Sequence, residues 1–194
     1  MYYGEIKKSD IANGEGIRTT LFVSGCRNAC KNCFNRDTWA FDYGEPFTDE
    51  VAQSIYKTFE NPFVTGLTVL GGEPMEPENQ RELLPFLREF KRRYPEKTVW
   101  LYTGNLYEEL TGAFGEHYKC LPETEELLSL VDILIDGRYV EEKKQLGLRF
   151  RGSSNQRIID MNKTRASGEI TIWEGCKLDK SYSNVYNEGK NQKA

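Results

Sequence analysis

IRTTLFVSGCRNACKNCFN, residues 17–35, joins a strand-like run to a cysteine cluster. Residues 17–23 are rich in β-branched and apolar side chains, the composition of a buried strand. The continuation is loop-like, with Gly25 followed by Cys26, Cys30 and Cys33 inside eight residues. The same order recurs three times: GLTVL (66–70) runs into GGEP, KTVWL (97–101) into YTGN, and VDILI (131–135) into DGRY. Helical spacing fills the intervals. Thr48 to Phe59 opens on a capping threonine and puts Val51 and Ile55 on one face; Pro77 to Tyr94 carries a stripe of Leu83, Leu84, Leu87 and Phe90; a third runs from Thr124 to Leu130. Strand, helix, strand at this spacing predicts parallel crossovers, hence an α/β fold with a mostly parallel sheet. The four glycine-bearing loops then leave the carboxyl ends of the strands, where α/β folds assemble their sites. The three cysteines, Glu73, Thr103 and Asp136 are expected to converge there.

The chain of 194 residues fits one domain with a real core, and 29% charged with 38% apolar residues is ordinary globular composition. Residues 177–194 are polar with few apolar anchors and read as a loosely attached tail after a domain spanning 1–176; docking through Tyr182 and Tyr186 is the competing reading. No segment has the apolar core of a signal peptide or the roughly 18 apolar residues of a membrane span, so a cytoplasmic location is expected. A net charge of −4 offers no footprint for nucleic acid. Five cysteines in a reducing compartment are ligands or reactive thiols rather than a disulfide framework.

Three clustered cysteines are too few for a structural zinc site, which takes four ligands; Cys120 and Cys176 are the thiols that would have to complete one. A 4Fe-4S cluster held by three thiolates keeps one iron open for a further ligand. Eight extended residues reach about 27 Å, so a curled loop is needed to turn all three sulfurs to one small group.

C-x3-C-x2-C after a first strand, with GGEP after a second, resembles the radical S-adenosylmethionine (SAM) enzymes. The resemblance implies an incomplete (β/α) barrel in which Cys26, Cys30 and Cys33 hold a 4Fe-4S cluster whose fourth iron is chelated by SAM. Gly71, Gly72 and Glu73 match the stretch that receives the SAM amino group, through a carboxylate or a backbone carbonyl. Asn32 and Phe34 match positions against the adenine, although many members carry an aromatic residue where this chain has Asn32. NGEGIRTTLFVSGCRNACKNCFNRDTWAF, TVLGGEP, WLYTGNLYEEL, DILIDGRYV and RGSSNQRIID, in that order between Asn13 and Asp160, are together similar to the activating proteins of anaerobic ribonucleotide reductases. For that family the implied reaction is reductive cleavage of SAM to methionine and a 5′-deoxyadenosyl radical, using electrons from a flavodoxin-like donor. The radical takes a hydrogen atom from a glycine in the C-terminal region of the reductase.

Other residues carry two readings each. Tyr102 and Thr103 either contact SAM or form a turn, and so does Asp136. Arg151 to Arg157 either bind SAM or the partner, or lead into the strand RIID. Trp39 and Phe41 either cover the cluster or pack in the core. Arg18 is expected to face solvent, His117 to lie at the surface, and Cys120 and Cys176 to be free thiols. Two other functions compete: a small-molecule radical SAM enzyme resembling 7-carboxy-7-deazaguanine synthase, and a non-catalytic zinc module.

Overall fold

In the computed structural model, which describes residues 1–175, seven strands form one sheet: β1 (Tyr2–Asp10), β2 (Ile17–Val23), β3 (Glu45–Pro46), β4 (Val64–Gly71), β5 (Thr98–Tyr102), β6 (Ile133–Asp136) and β7 (Arg157–Asp160). The helices among the described residues are α1 (Asp49–Thr58), α2 (Pro77–Arg93), α3 (Tyr107–Leu110), α4 (Thr124–Ser129) and α5 (Met161–Ser167). The predicted tail and Cys176 lie outside the described residues.

The strand order is β3-β1-β2-β4-β5-β6-β7. The middle follows the predicted pattern, with β2, β4, β5 and β6 paired in parallel. The flanks correct it: β1 runs antiparallel to both β2 and β3, and β7 antiparallel to β6. The first strand escapes sequence reading because YYGEIKKSD is mostly polar and exposed, with Asp10 its one fully buried residue. Its pairing is held by the neighbours on either side, with Tyr3 and Ile6 packing partly buried against the core.

The helices begin where local chemistry dictates. Thr48 caps α1 by accepting from the Val51 N–H at 3.4 Å, and Pro77 occupies the first turn of α2, where its missing N–H costs nothing. Leu21, Val23, Leu67, Val69, Val99 and Leu101 alternate along three strands and pack against Ile55, Leu83, Leu87, Phe90 and Leu127 from the helices. Each such side chain contributes about 1.5–3 kcal/mol on full burial.

The opposite face is different. Trp100, Ile133, Ile135 and Ile158 pack there with Phe150 and Trp173, and none of the helices among the described residues contributes a buried side chain to this cluster. Arg18 lies on this face and corrects the expectation that it meets solvent: only 1% of it is exposed. Its guanidinium donates to Thr68 Oγ1 at 2.6 Å, Leu67 O at 2.7 Å and Thr98 O at 2.9 Å, and stacks over Trp100. One side chain thus ties β2 to β4 and β5. Burial draws its pKa down to about 10. An isolated arginine in a strand carries no sequence signal for this, because its acceptors lie 50 and 80 residues away.

Candidate metal centre

The loops after β2, β4, β5 and β6 meet around one cavity of about 140 Å³ lined by Cys26, Cys30, Cys33, Gly71, Gly72 and Thr103, with Tyr102, Trp39 and Tyr139 completing the wall. A second cavity of about 420 Å³ adjoins it, sharing Cys33, Asn35, Leu70, Tyr102, Tyr139 and Gln156. Asn32 and Phe34 line the outer cavity, and Phe34 is 99% exposed. Among the described residues, no three Cys, His, Asp or Glu side chains form a group able to hold one metal ion, so the cysteines surround the cavity without closing on a single point.

The cysteine loop is curled by two left-handed residues, Ala29 (φ 48°) and Asn32 (φ 55°), each immediately before a cysteine. Asparagine tolerates this conformation better than an aromatic or β-branched residue. Asn32→Val is therefore expected to destabilise the metal-free protein by about 1–2 kcal/mol, and Asn32→Gly to leave it nearly unchanged, as read by urea unfolding under reducing conditions.

The loop is also anchored at its start. Gly25 and Cys26 donate their N–H groups to Thr38 O and Trp39 O at 2.8 and 3.1 Å. Glu76 Oε1 accepts from the Arg27 N–H at 3.0 Å, while its Oε2 accepts from Arg27 Nη1 at 2.6 Å. Gly71 sits at φ 113°, and a Cβ there would come within 2.6 Å of Val23 O, so the close approach of the two loops requires glycine.

Glu73 lies beneath the cavity and is 1% exposed. Its Oε1 accepts from the Met75 N–H at 3.0 Å and Thr103 Oγ1 at 2.8 Å; its Oε2 accepts from Asn28 Nδ2 at 2.7 Å, the Gly104 N–H at 2.8 Å and Asn105 Nδ2 at 3.1 Å. Three loops are cross-linked by one carboxylate. Asp136 is buried behind the cavity and lines neither space: it accepts from Arg157 through both oxygens and from the Tyr107 N–H at 2.9 Å. Glu108 accepts from the same guanidinium at 2.6 Å, which holds its carboxyl below the usual range.

The thiols and two donors complete the chemistry. Burial pushes the Cys26 thiol up to about 11, and burial together with Cys33 raises Cys30, so without metal these groups are neutral thiols. Binding iron would exchange their protons for the metal. Trp39 Nε1 and the Tyr102 hydroxyl are buried without a hydrogen-bond partner among the described residues, and both residues line the cysteine cavity. The cavity itself presents three thiols and the backbone of two glycines, a donor set that fits an iron–sulfur cluster with a polar ligand.

The remaining predicted residues divide. Arg151 lines the outer cavity and donates to Gln156 O at 2.9 Å, and Gln156 Oε1 accepts from the Gly152 and Ser153 N–H groups, so RGSSNQ folds on itself before β7. Phe41 packs under the Arg27 guanidinium, 4.2 Å from ring centre to charge. His117 is half-buried, Cys120 is exposed, and neither lines these cavities. Sequence reading missed Asn28, Glu76, Asn105 and Lys119, whose partners are brought in by the fold from distant segments.

Residues 12–159 match the family described as 4Fe-4S single cluster domain. The chain is 39% identical over 160 residues to the anaerobic ribonucleoside-triphosphate reductase-activating protein of Haemophilus influenzae, covering 81% of this chain and 97% of that one. The proteins of the same name from Pasteurella multocida and Escherichia coli are 38% and 34% identical, over 81% and 80% of this chain and 96% of each relative.

Proposed function

Because this chain belongs to the anaerobic ribonucleoside-triphosphate reductase-activating proteins, we propose that Cys26, Cys30 and Cys33 hold a 4Fe-4S cluster that leaves one iron to SAM, and that the protein installs a glycyl radical on an anaerobic ribonucleotide reductase. The observation that carries this reading is a cavity lined by all three cysteines together with Gly71, Gly72 and Thr103 at the carboxyl ends of β4 and β5. When bound, cluster and SAM supply reductive cleavage to methionine and a 5′-deoxyadenosyl radical, which takes a hydrogen atom from a glycine in the reductase's C-terminal region.

The chain's own residues bind, orient and exclude water. Gly71 and Gly72 line the cavity, and their backbone accepts from the SAM amino group. Glu73 holds the GGEP, YTGN and cysteine loops in register; with five protein donors on its oxygens it acts on SAM through Thr103 and the backbone rather than directly. Tyr102 and Trp39 wall the bound group from water. Asn32, through its backbone, and Phe34 border the outer cavity and receive the adenine. Asp136 acts by fixing Arg157 and the start of α3.

The open sheet, whose end strands β3 and β7 do not pair, fits an incomplete barrel. Its lateral opening admits a glycine-bearing segment of the reductase, since glycine enters a narrow space without side-chain clash. The electron comes from a flavodoxin-like one-electron carrier, and the reaction belongs in the cytoplasm. No helix among the described residues is long and apolar enough to cross a membrane.

The test is anaerobic formation of 5′-deoxyadenosine from SAM and a strong reductant, with and without the cognate reductase. A yield that rises when the reductase is added supports the proposal. A high yield indifferent to the reductase would point instead to a small-molecule substrate.

A further inference from the structure

Lys119 is fully buried, although the segment that carries it, between α3 and α4, is mostly exposed. Its ammonium donates to Asn28 Oδ1 at 3.1 Å and lies 3.1 Å from Glu76 Oε1 and 3.7 Å from Glu73 Oε2. Asn28 gives its amide hydrogen to Glu73, and Arg27 gives both backbone and side-chain hydrogens to Glu76. Arg27 and Asn28 directly follow Cys26 in the cysteine loop. One face of that loop therefore rests on two buried carboxylates, with Lys119 as the buried cation between them.

We propose that Lys119 is a positioning residue that fixes the cysteine loop through Asn28 and, set against Glu76, raises the reduction potential of the cluster held there. This rests on the cluster reading above. Reduction adds one negative charge to the cluster, and a cation enclosed with it in a low-dielectric interior favours that reduced form far more than a solvated cation would. Removing the ammonium leaves two carboxylates facing the added electron.

The experiment loads the full chain anaerobically with iron and sulfide and titrates it with dithionite, following the reduced cluster by EPR. Lys119→Met is expected to lower the midpoint by about 59 mV or more, a tenfold fall in the reduced fraction ratio for a one-electron couple, and to alter the EPR line shape as Asn28 is released. Glu76→Gln is expected to move the midpoint the opposite way. A folded Lys119→Met protein with the wild-type midpoint and spectrum would overturn the proposal. If Lys119→Met does not fold, Glu76→Gln decides: an upward shift supports the proposal and an unchanged midpoint refutes it. A wild-type chain that takes up no iron removes the cluster reading and this proposal together.

Discussion

Cys26→Ala, Cys30→Ala and Cys33→Ala are each expected to reduce iron retained after anaerobic reconstitution and to bring 5′-deoxyadenosine formation to background. Loss of an outer-shell partner alone costs about 10–100-fold in metal affinity, so loss of a ligand should exceed that. Each cysteine lines the cavity, and no other described Cys, His, Asp or Glu is grouped there to replace it. Cys120→Ala is the control: this thiol is exposed and away from the cavity, and iron content should stay at the wild-type level. Iron and acid-labile sulfide assays check both. Full iron content in any of the three cysteine variants would contradict the assigned ligand set.

Glu73→Ala is expected to destabilise the metal-free protein by about 3–5 kcal/mol, since each buried donor left without an acceptor costs about 1–3 kcal/mol and five donors share this carboxylate. For a chain of this size that lowers the melting temperature by roughly 6–20 °C. The physical reason is that five donors from three loops lose their acceptor, while Lys119 keeps Glu76 at 3.1 Å. Glu73→Gln should cost less, about 1–3 kcal/mol, because its NH2 group must face donors on whichever side it turns and leaves at least one unpaired. Thermal melts followed by circular dichroism would show the order wild type, Gln, Ala. A Glu73→Ala protein that melts with the wild type would mean that the carboxylate does not hold the loops.

The central fold is legible because β2, β4, β5 and β6 are apolar runs buried on both faces, and the helices between them are periodic and capped. The flanking strands are not legible. β1 draws its pairing from β2 and β3, and its own sequence is dominated by exposed polar residues. The convergence of the cysteines with GGEP and YTGN follows from the parallel order of the strands, which fixes where their loops emerge. What each polar residue does after convergence is set by distant partners. Asp136 and Glu73 are both carboxylates at or just beyond the carboxyl ends of parallel strands, yet one is taken up by Arg157 behind the cavity and the other by the loops beneath it. Arg18 and Lys119 are the extreme cases. Both are buried cations whose acceptors lie far along the chain, and periodicity carries no trace of either.

The measurement that bears most directly on the central claim is EPR of a mixture of the loaded protein, SAM, reductant and the cognate anaerobic reductase. The account predicts a persistent glycyl radical signal on the reductase that requires SAM and disappears with each of the three cysteine variants. A fully loaded cluster that yields no such radical on a competent reductase would contradict it.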